Sequence, residues 1–167
     1  MLYYGVLEKQ DIKDMAFAVC SAIGHGRHGR AVELLVETCA AETLLAQAKD
    51  TTPYYAGAGV AQVDEGTFDW LKDKYQSHKM ARDIKRKLGV DLKLVSYNEL
   101  DFSPLISLIF ARLRYWTVAD LIPATREGRA KYWKTHYNTS KGKGSPEEYL
   151  ERCKASGVDE LFIGEAK

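Results

Sequence analysis

Cysteine is scarce in this sequence, and the few cysteines follow no recognisable spacing. Cys20, Cys39 and Cys153 are the three in a chain of 167 residues. An odd and widely spaced set excludes the disulfide framework of a small secreted protein and the paired spacing of a structural zinc site. We therefore expect free thiols, with Cys39 buried in an apolar helix, in a chain made in a reducing compartment.

Long apolar runs and an excess of charge of one sign are also missing. The longest apolar stretch, PLISLIFA from Pro104, is far shorter than the roughly 20 residues of a membrane-spanning helix, so we expect no membrane span. The start of the chain, MLYYGVLEKQ, lacks the basic and apolar regions of a secretory signal. The formal net charge of +1 gives no general attraction to nucleic acid, which we do not expect as a partner.

Apolar residues recur at helical spacing along most of the chain, which predicts a mostly α protein. We expect a single domain over residues 1–167, with the N-terminal helix and the glycine-rich loop GHGRHGR (together 1–29) as an appendage. Residues 90–97 alternate between apolar and polar side chains and could form a short β segment. The predicted helices cover residues 8–23, 30–49, 65–76, 78–90, 98–116, 129–138 and 145–155. The fifth could start near Asn98 or near Ser103. Gly89 is a predicted C-cap, and Ser145 is a predicted N-cap with Pro146 at the first helical position.

Two glutamates, Glu37 and Glu42, each precede a threonine in the helix predicted over 30–49. When this helix is projected at about 100° per residue, Glu42 falls on the apolar side with Cys39, and Glu37 falls on a polar stripe with Glu33. A carboxylate among apolar groups loses water, which raises its pKa and suits a general acid. An exposed position near the helix end, or an internal salt bridge, would instead make Glu42 structural, and both alternatives stay open.

The residues after Glu42 extend this pattern. Glu42-Thr43 is followed, after a polar loop, by GAGVAQVDEGT from Gly57, in which Thr67 stands five residues after Gln62. This resembles the soluble lytic transglycosylase and goose-type lysozyme group. There a helix ends in Glu-Ser, and a later stretch reads Gly-Ala-x-Gly-Leu-Met-Gln-Ile with a threonine five residues after the glutamine. The present sequence departs from that pattern in Thr43, in a segment one residue shorter, and in Val-Ala for Leu-Met.

A second resemblance lies in the last third of the chain. Residues 137–139 read YNT and residues 142–144 read GKG. Phage-encoded lysozyme-like proteins carry a similar Tyr-Tyr-Asn-Thr-x-x-Gly-Lys-Gly signature, and His136 here replaces its first tyrosine. In the wider group a late Tyr-Asn segment borders the cleft near the acid. The two resemblances together cover residues 30–70 and 111–150.

The resemblance implies a lysozyme-like fold and a phage-associated enzyme that cleaves peptidoglycan glycan strands between MurNAc and GlcNAc. Glu42 would act as general acid and base, and no cofactor or metal is implied. The protein would be made in the host cytoplasm and reach the bacterial cell wall through a pore or inside the virion, where other virion proteins could be partners. A non-catalytic virion structural or assembly module that keeps the fold is the alternative. The residues implied to bind substrate are Thr43, Gly59, Gln62, Thr67, Tyr137 and Asn138.

The sequence leaves the outcome of the reaction open. In the transglycosylase route, the acid then takes the proton from the muramyl 6-hydroxyl, which closes an anhydro ring without a second carboxylate. In the goose-type route a further carboxylate positions water, and Asp50, Asp64 and Asp69 are the candidates. Asp64 could equally be an exposed loop residue, and Asp69 a residue of the first turn of a helix.

Each implied substrate contact also has a structural interpretation. Glycines could shape a turn or let the backbone approach a ligand. Thr67 could be a helix N-cap, Tyr137 could be a core residue, and Asn138 could cap a helix end. Three further aromatic residues could line a groove or fill the core, namely Tyr54, Tyr55 and Trp116.

Overall fold

The structure is a computed structural model that describes residues 1–49 and 57–165, and these residues are mostly helical. The described part of the chain forms eight α-helices: α1 (Lys9–Ile23), α2 (Ala31–Thr43), α3 (Glu65–Tyr75), α4 (Lys79–Leu88), α5 (Pro104–Trp116), α6 (Arg126–Trp133), α7 (Pro146–Ser156) and α8 (Val158–Leu161). A 3-10 segment, Tyr97–Asp101, precedes α5, and a π-helical segment, Lys134–Asn138, continues α6. The predicted mostly α single domain is confirmed.

Helix α2 runs through the interior and packs against α1, α5 and α7. Its sequence, AVELLVETCAAET, carries small and apolar residues on every side, and nearly all of its side chains are buried. The polar stripe predicted for this helix is therefore wrong at Glu37, a residue that is only 1% exposed. A helical projection assumes that one side of the helix is exposed to solvent, but α2 is covered by α1, α5 and α7 on several sides.

Helix α2 ends at Thr43 rather than at residue 49 as predicted. Leu44, Leu45 and Ala46 follow in the left-handed conformation, with φ angles of 53°, 55° and 66°. This conformation costs a non-glycine residue roughly 1–2 kcal/mol. The periodicity could not show this end, because Leu45 and Ala46 are buried apolar residues as they would be in a continued helix.

The N-terminal helix is part of the core and not the predicted appendage. Helix α1 packs against α2, α4 and α5, with Ile12, Ala16 and Val19 fully buried. Its lysines also hold the C-terminal region, since Lys9 Nζ donates to the backbone carbonyl of Ser156 at 2.7 Å. Helix α1 therefore contributes one apolar side to the core and keeps its charged residues on the opposite side.

Residues 90–97 do not form the short strand that their alternation suggested. They make turns, in which the Asp91 side chain accepts from the Lys93 amide at 3.0 Å and Leu92 and Val95 are buried. The alternation of apolar and polar residues arises here because Leu92 and Val95 pack into the core while the irregular segment around them lies at the surface. Within the described residues, β pairing is limited to one antiparallel bridge between Ala58 and Val63.

Several predicted helix ends are confirmed. Gly89 ends α4 in the left-handed conformation, and the Ser103 side chain caps α5. The Ser145 side chain caps α7, with Pro146 at its first helical position. These local signals were readable because each cap is made by residues adjacent in sequence.

Two expectations about the chain as a whole can also be compared with the structure. The three cysteines are free thiols and all are buried. Among the helices of residues 1–49 and 57–165, none is both long and apolar enough to cross a membrane.

Candidate functional site

Glu42 lies in the last turn of α2, where its side chain is half-buried. Its Oε1 accepts a hydrogen bond from the indole Nε1 of Trp133 at 3.0 Å. The Trp133 ring is itself buried and packs against Tyr149, with 5.3 Å between ring centroids. The Glu42 backbone carbonyl accepts from Arg152 Nη2 at 3.3 Å. The carboxyl group is thus held in one orientation by a rigid aromatic partner from α6.

The left-handed turn that follows places Glu42 at a sharp reversal of the chain. The Tyr3 amide donates to the Ala46 carbonyl at 2.8 Å, which fixes the far side of the turn. Residues held in sparsely populated backbone conformations cluster at functional sites, because the surrounding structure must stabilise the strain. The reversal leaves Glu42 at the end of its helix instead of within it.

Thr43 joins the end of α2 to the loop that the resemblance singled out. Its Oγ1 lies 3.0 Å from the Cys39 carbonyl and 2.8 Å from the Val60 carbonyl, and it accepts from the Ala46 amide at 3.2 Å. The side chain is 1% exposed. This structural contact replaces the substrate contact predicted for Thr43, because a buried hydroxyl with three backbone neighbours cannot reach a glycan.

Residues 58–63 form a tight turn closed by two backbone hydrogen bonds. The Ala58 amide donates to the Val63 carbonyl at 2.8 Å, and the Val63 amide donates back at 3.0 Å. Gly59 has a φ of 78°, and a Cβ there would lie 2.5 Å from the Leu100 carbonyl oxygen. Its amide donates to the Asp101 carboxylate at 2.8 Å. The turn therefore requires a glycine at this position, and the predicted substrate contact of Gly59 stays a prediction.

Gln62 ends this turn in the left-handed conformation, with a φ of 50°. Its side-chain Nε2 donates to the Gly59 carbonyl at 2.8 Å and to the Tyr4 hydroxyl at 3.2 Å. The amide is half-buried. Gln62 lines a small pocket, and its predicted role in binding substrate stays a prediction.

Tyr137 connects the π-helical segment to the same turn. Its hydroxyl donates to the Ala61 carbonyl at 2.6 Å, and its ring stacks on Tyr115 with 5.0 Å between centroids. Burial and the negative charge of Glu42 raise the pKa of the Tyr137 hydroxyl well above its usual value, so it stays protonated as a donor. This effect also places the carboxylate of Glu42 within electrostatic range of Tyr137.

A pocket lies between the turn, α3 and the π-helical segment. Its enclosed volume is about 20 Å³, which is room for about one water molecule and far less than a sugar ring. Three residues that the sequence had grouped together meet at this pocket, namely Gln62, Thr67 and Tyr137. The other lining residues are Val63, Asp64 and Arg114.

Three carboxylates were candidates for positioning the water molecule of a hydrolytic route. Asp64 is the N-cap of α3, since its side chain accepts from the Thr67 amide and the Thr67 hydroxyl, both at 2.8 Å. Thr67 is therefore a partner of the cap and not the cap itself. Asp69 is exposed on α3, past its first turn. Asp50 lies outside the described residues, as do Tyr54 and Tyr55.

Gly142 and Gly144, the glycines of the GKG motif, pack against the end of α6 and the π-helical segment that follows it. Asn138 ends the π-helical segment, and its Oδ1 accepts from Lys134 Nζ at 2.7 Å. Gly142 packs directly on the Asn138 side chain, and a Cβ on Gly144 would lie 2.6 Å from the Trp133 ring. The motif thus braces the tryptophan that holds Glu42. Asn138 is half-buried, and its predicted role in binding substrate is left as a prediction.

Glu37 forms a buried ionic cluster that the sequence did not reveal. Its carboxylate accepts from Arg129 Nε and Nη2, both at 2.8 Å, from Arg126 Nε at 3.1 Å and from the Tyr149 hydroxyl at 2.8 Å. The cluster fastens α6 and α7 to α2. Arg126 and Arg129, three apart at the start of a helix, were the available signal, but nothing in the sequence states which carboxylate they meet.

Comparison of this chain with protein-family models, curated proteins and solved structures gives no match.

Proposed function

We propose that this protein cleaves peptidoglycan glycan strands between MurNAc and GlcNAc, with Glu42 as general acid and base. The observation that carries the proposal is the position of Glu42. Its half-buried carboxyl group is held by Trp133 at a strained helix end, close to Tyr137 and the turn at 58–63. The order of these elements also follows the resemblance to lytic transglycosylases and goose-type lysozymes.

The first step requires a proton on the departing glycosidic oxygen. The Glu42 carboxyl would supply it as the C–O bond breaks, and the resulting carboxylate would then face the sugar. In one route it takes a proton from the muramyl 6-hydroxyl as that oxygen attacks the anomeric carbon. In the other it takes the proton from an attacking water molecule. Either way, Glu42 ends the cycle protonated as it began.

The neighbours of Glu42 suit this work in different ways. The indole N–H of Trp133 donates to one carboxyl oxygen of Glu42 and so orients the carboxyl group. Gln62 could bind sugar amide or hydroxyl groups from the rim of the turn. We further propose that the chain acts at the bacterial cell wall in a phage context, delivered through a pore or within the virion.

A zymogram on purified peptidoglycan tests the proposal. We expect wild type to clear the wall and Glu42→Gln to lose about 100-fold or more of the activity, the range attributed to general acid–base catalysis. Glu151→Gln is the matched control, since Glu151 is an exposed glutamate on α7 close to Arg152. Circular dichroism spectra should be the same for all three proteins. Full activity of a folded Glu42→Gln variant would refute the role of Glu42.

Mass spectrometry of the released muropeptides then separates the two routes. An anhydro-muramyl product indicates ring closure by the 6-hydroxyl, and a reducing end indicates attack by water. If the product is hydrolytic, Asp64→Asn should be tested next, because Asp64 borders the small pocket with Gln62 and Tyr137.

A non-catalytic virion structural or assembly module is the second candidate. Two observations favour it: the pocket beside Gln62 has an enclosed volume of only about 20 Å³, and Thr43 and Gly59 serve the fold itself. A wild-type protein that pellets with insoluble peptidoglycan but releases no muropeptide would favour this candidate over the enzyme.

A further inference from the structure

A second and larger pocket lies on another part of the molecule. It opens between the glycine-rich loop before α2 and the segment that joins α5 to α6, and its volume is about 180 Å³. Its wall combines basic, aromatic and aliphatic side chains, among them Arg27, Arg112, Trp116, Ile122 and Tyr132. The glycan-cleaving proposal makes no use of these residues, and the resemblance, although it covers residues 111–150, implies no role for any of them.

Arg112 is the unusual member of this wall, because its side chain is charged and only 3% of the residue is exposed. Its Nε donates to the Gly24 carbonyl at 2.8 Å. Its guanidinium carbon lies 5.3 Å from the centre of the Trp116 ring. The glycine is needed here, since a Cβ on Gly24 would lie 2.7 Å from that ring. The fold thus fixes the guanidinium between a carbonyl and an indole.

Within the described residues, no carboxylate lies within ion-pair distance of Arg112. The ionisable neighbours that act on it are Cys20 and Tyr132. Burial raises the pKa of the Cys20 thiol to about 11, and burial also raises the pKa of Tyr132, so both are neutral at pH 7. The guanidinium stays charged in proteins and therefore lacks a negative partner here.

An unpaired buried charge is costly, and this chain pairs its other strongly buried arginine. Arg129 is 4% exposed and is matched by Glu37. Because burial disfavours the cation, it lowers the pKa of Arg112. A negative group bound in the pocket would remove the imbalance.

We propose that this pocket binds a small carboxylate that carries an aromatic or branched aliphatic group, with the carboxylate on Arg112 and the apolar group against Trp116 and Ile122. A planar carboxylate matches the donor geometry of a guanidinium. An apolar cavity of about 150 Å³ is large enough for benzene, so about 180 Å³ suits one ring and its acid group.

The charges at the pocket rim favour a singly charged ligand. Arg27 adds a second cation at the mouth. Asp120 also lines the pocket, with its side chain 76% exposed and 3.4 Å from His136. Its negative charge disfavours a doubly charged phosphate ester more than a monoanionic carboxylate.

Isothermal titration calorimetry on the full chain tests the proposal with three probes: benzoate, its neutral counterpart benzamide, and phenyl phosphate. We expect saturable binding of benzoate, and binding of benzamide weaker by about tenfold or more, the effect of one charged hydrogen bond. Benzoate should shift the Trp116 indole resonance in NMR spectra. Absence of saturable benzoate binding, or equal affinity for benzamide, would overturn the proposal. Tighter binding of phenyl phosphate would overturn the assignment to a carboxylate.

Variants locate the site independently of any enzymatic activity. Arg112→Met should weaken benzoate binding by about tenfold or more, and Arg82→Met, at an exposed arginine of α4, should leave it unchanged. Trp116→Ala and Arg27→Met change residues near the surface and keep the test available if Arg112→Met does not fold. Unchanged affinity in a folded Arg112→Met variant, or in both rim variants, would place the ligand elsewhere and overturn the proposal.

Discussion

Helix α2 carries two glutamates, each followed by threonine, that end in very different surroundings. Glu37 is almost fully buried and accepts hydrogen bonds from two arginines and a tyrosine. Glu42, five residues later, is half-buried at the helix end and accepts from an indole. The same residue type thus occurs in an interior ionic cluster and at an accessible chain reversal.

Of these two carboxylates, only Glu42 lies where a ligand could reach it. The oxygens of the Glu37 carboxylate already accept hydrogen bonds from several donors that join three helices. A substrate could reach Glu37 only by displacing these donors, of which Arg129 is itself buried. A carboxylate at a helix end, oriented by Trp133 and still half-open to solvent, can meet a ligand. We therefore assign structure to Glu37 and propose catalysis for Glu42.

The largest expected effect comes from removing the interior partner. Glu37→Ala leaves Arg129 buried without its main counter-charge, which should lower the free energy of unfolding by about 4 kcal/mol. Urea denaturation followed by circular dichroism measures this loss. Glu151→Ala, at an exposed position of α7, is the control and should change stability little.

The Glu37→Ala variant can also contradict the assignment of a structural role to Glu37. Suppose Glu37→Ala folds with nearly wild-type stability and yet loses the ability to clear peptidoglycan. The cluster would then be a reaction site and Glu42 a bystander, and the assignments above would have to be exchanged.

The sequence predicted the positions of the helices but not the burial of Glu37. Helix positions followed from apolar periodicity, and the ends at Gly89 and Ser145 followed from local capping residues. The burial of Glu37 could not be predicted, because its partners Arg126 and Arg129 stand about 90 residues away in the chain. A helical projection contains no information about such distant partners.

At the candidate site, too, the sequence identified some residues and missed the contacts between residues that are distant in the chain. The motif brought Glu42, Gln62 and Tyr137 to attention. In the structure, Gln62 and Tyr137 line one small pocket, and Thr43, next to Glu42, contacts the Val60 carbonyl of the same turn. Trp133 was missed, although it stands four residues before Tyr137 and shares its side of the helix. Thr43 was interpreted as a ligand contact because sequence patterns do not distinguish a residue that stabilises the fold around a site from one that touches a substrate.

The next effect tests the hydrogen bond that orients Glu42. Trp133→Phe keeps an aromatic ring against Tyr149 but removes the indole N–H and part of its volume. We expect the free energy of unfolding to fall by about 2 kcal/mol. If Glu42 is the acid, peptidoglycan clearing should fall by about tenfold as well. Trp70→Phe, at a partly exposed tryptophan, should affect neither measurement.

A result in which Trp133→Phe loses stability but keeps full clearing activity would separate the two properties. The indole would then be a core residue whose contact with Glu42 has no catalytic consequence. The structural role of Glu37 and the proposed catalytic role of Glu42 would both remain, but α6 would have no role in orienting the acid.

A smaller effect is expected where Thr43 joins α2 to the turn at 58–63. Thr43→Val is nearly equal in volume but removes the hydroxyl that lies between the Val60 carbonyl and the Ala46 amide. The free energy of unfolding should fall by about 1.5 kcal/mol. The exposed Thr135→Val change serves as the control. A decrease equal to that of the control would show that the left-handed turn holds without Thr43.

The smallest loss of stability is expected for Glu33, and it tests whether burial is what distinguishes Glu37 from Glu33. Glu33 also contacts Arg129, with 3.1 Å between its Oε2 and the arginine Nη2, but its side chain is 46% exposed. An exposed ion pair contributes about 0.5 kcal/mol or less, because water and salt screen it. Glu33→Gln should therefore lower the free energy of unfolding by about that amount at low salt and by less at high salt. A loss as large as that of Glu37→Ala would mean that Arg129 depends on the total carboxylate charge around it, and that burial is not what sets Glu37 apart.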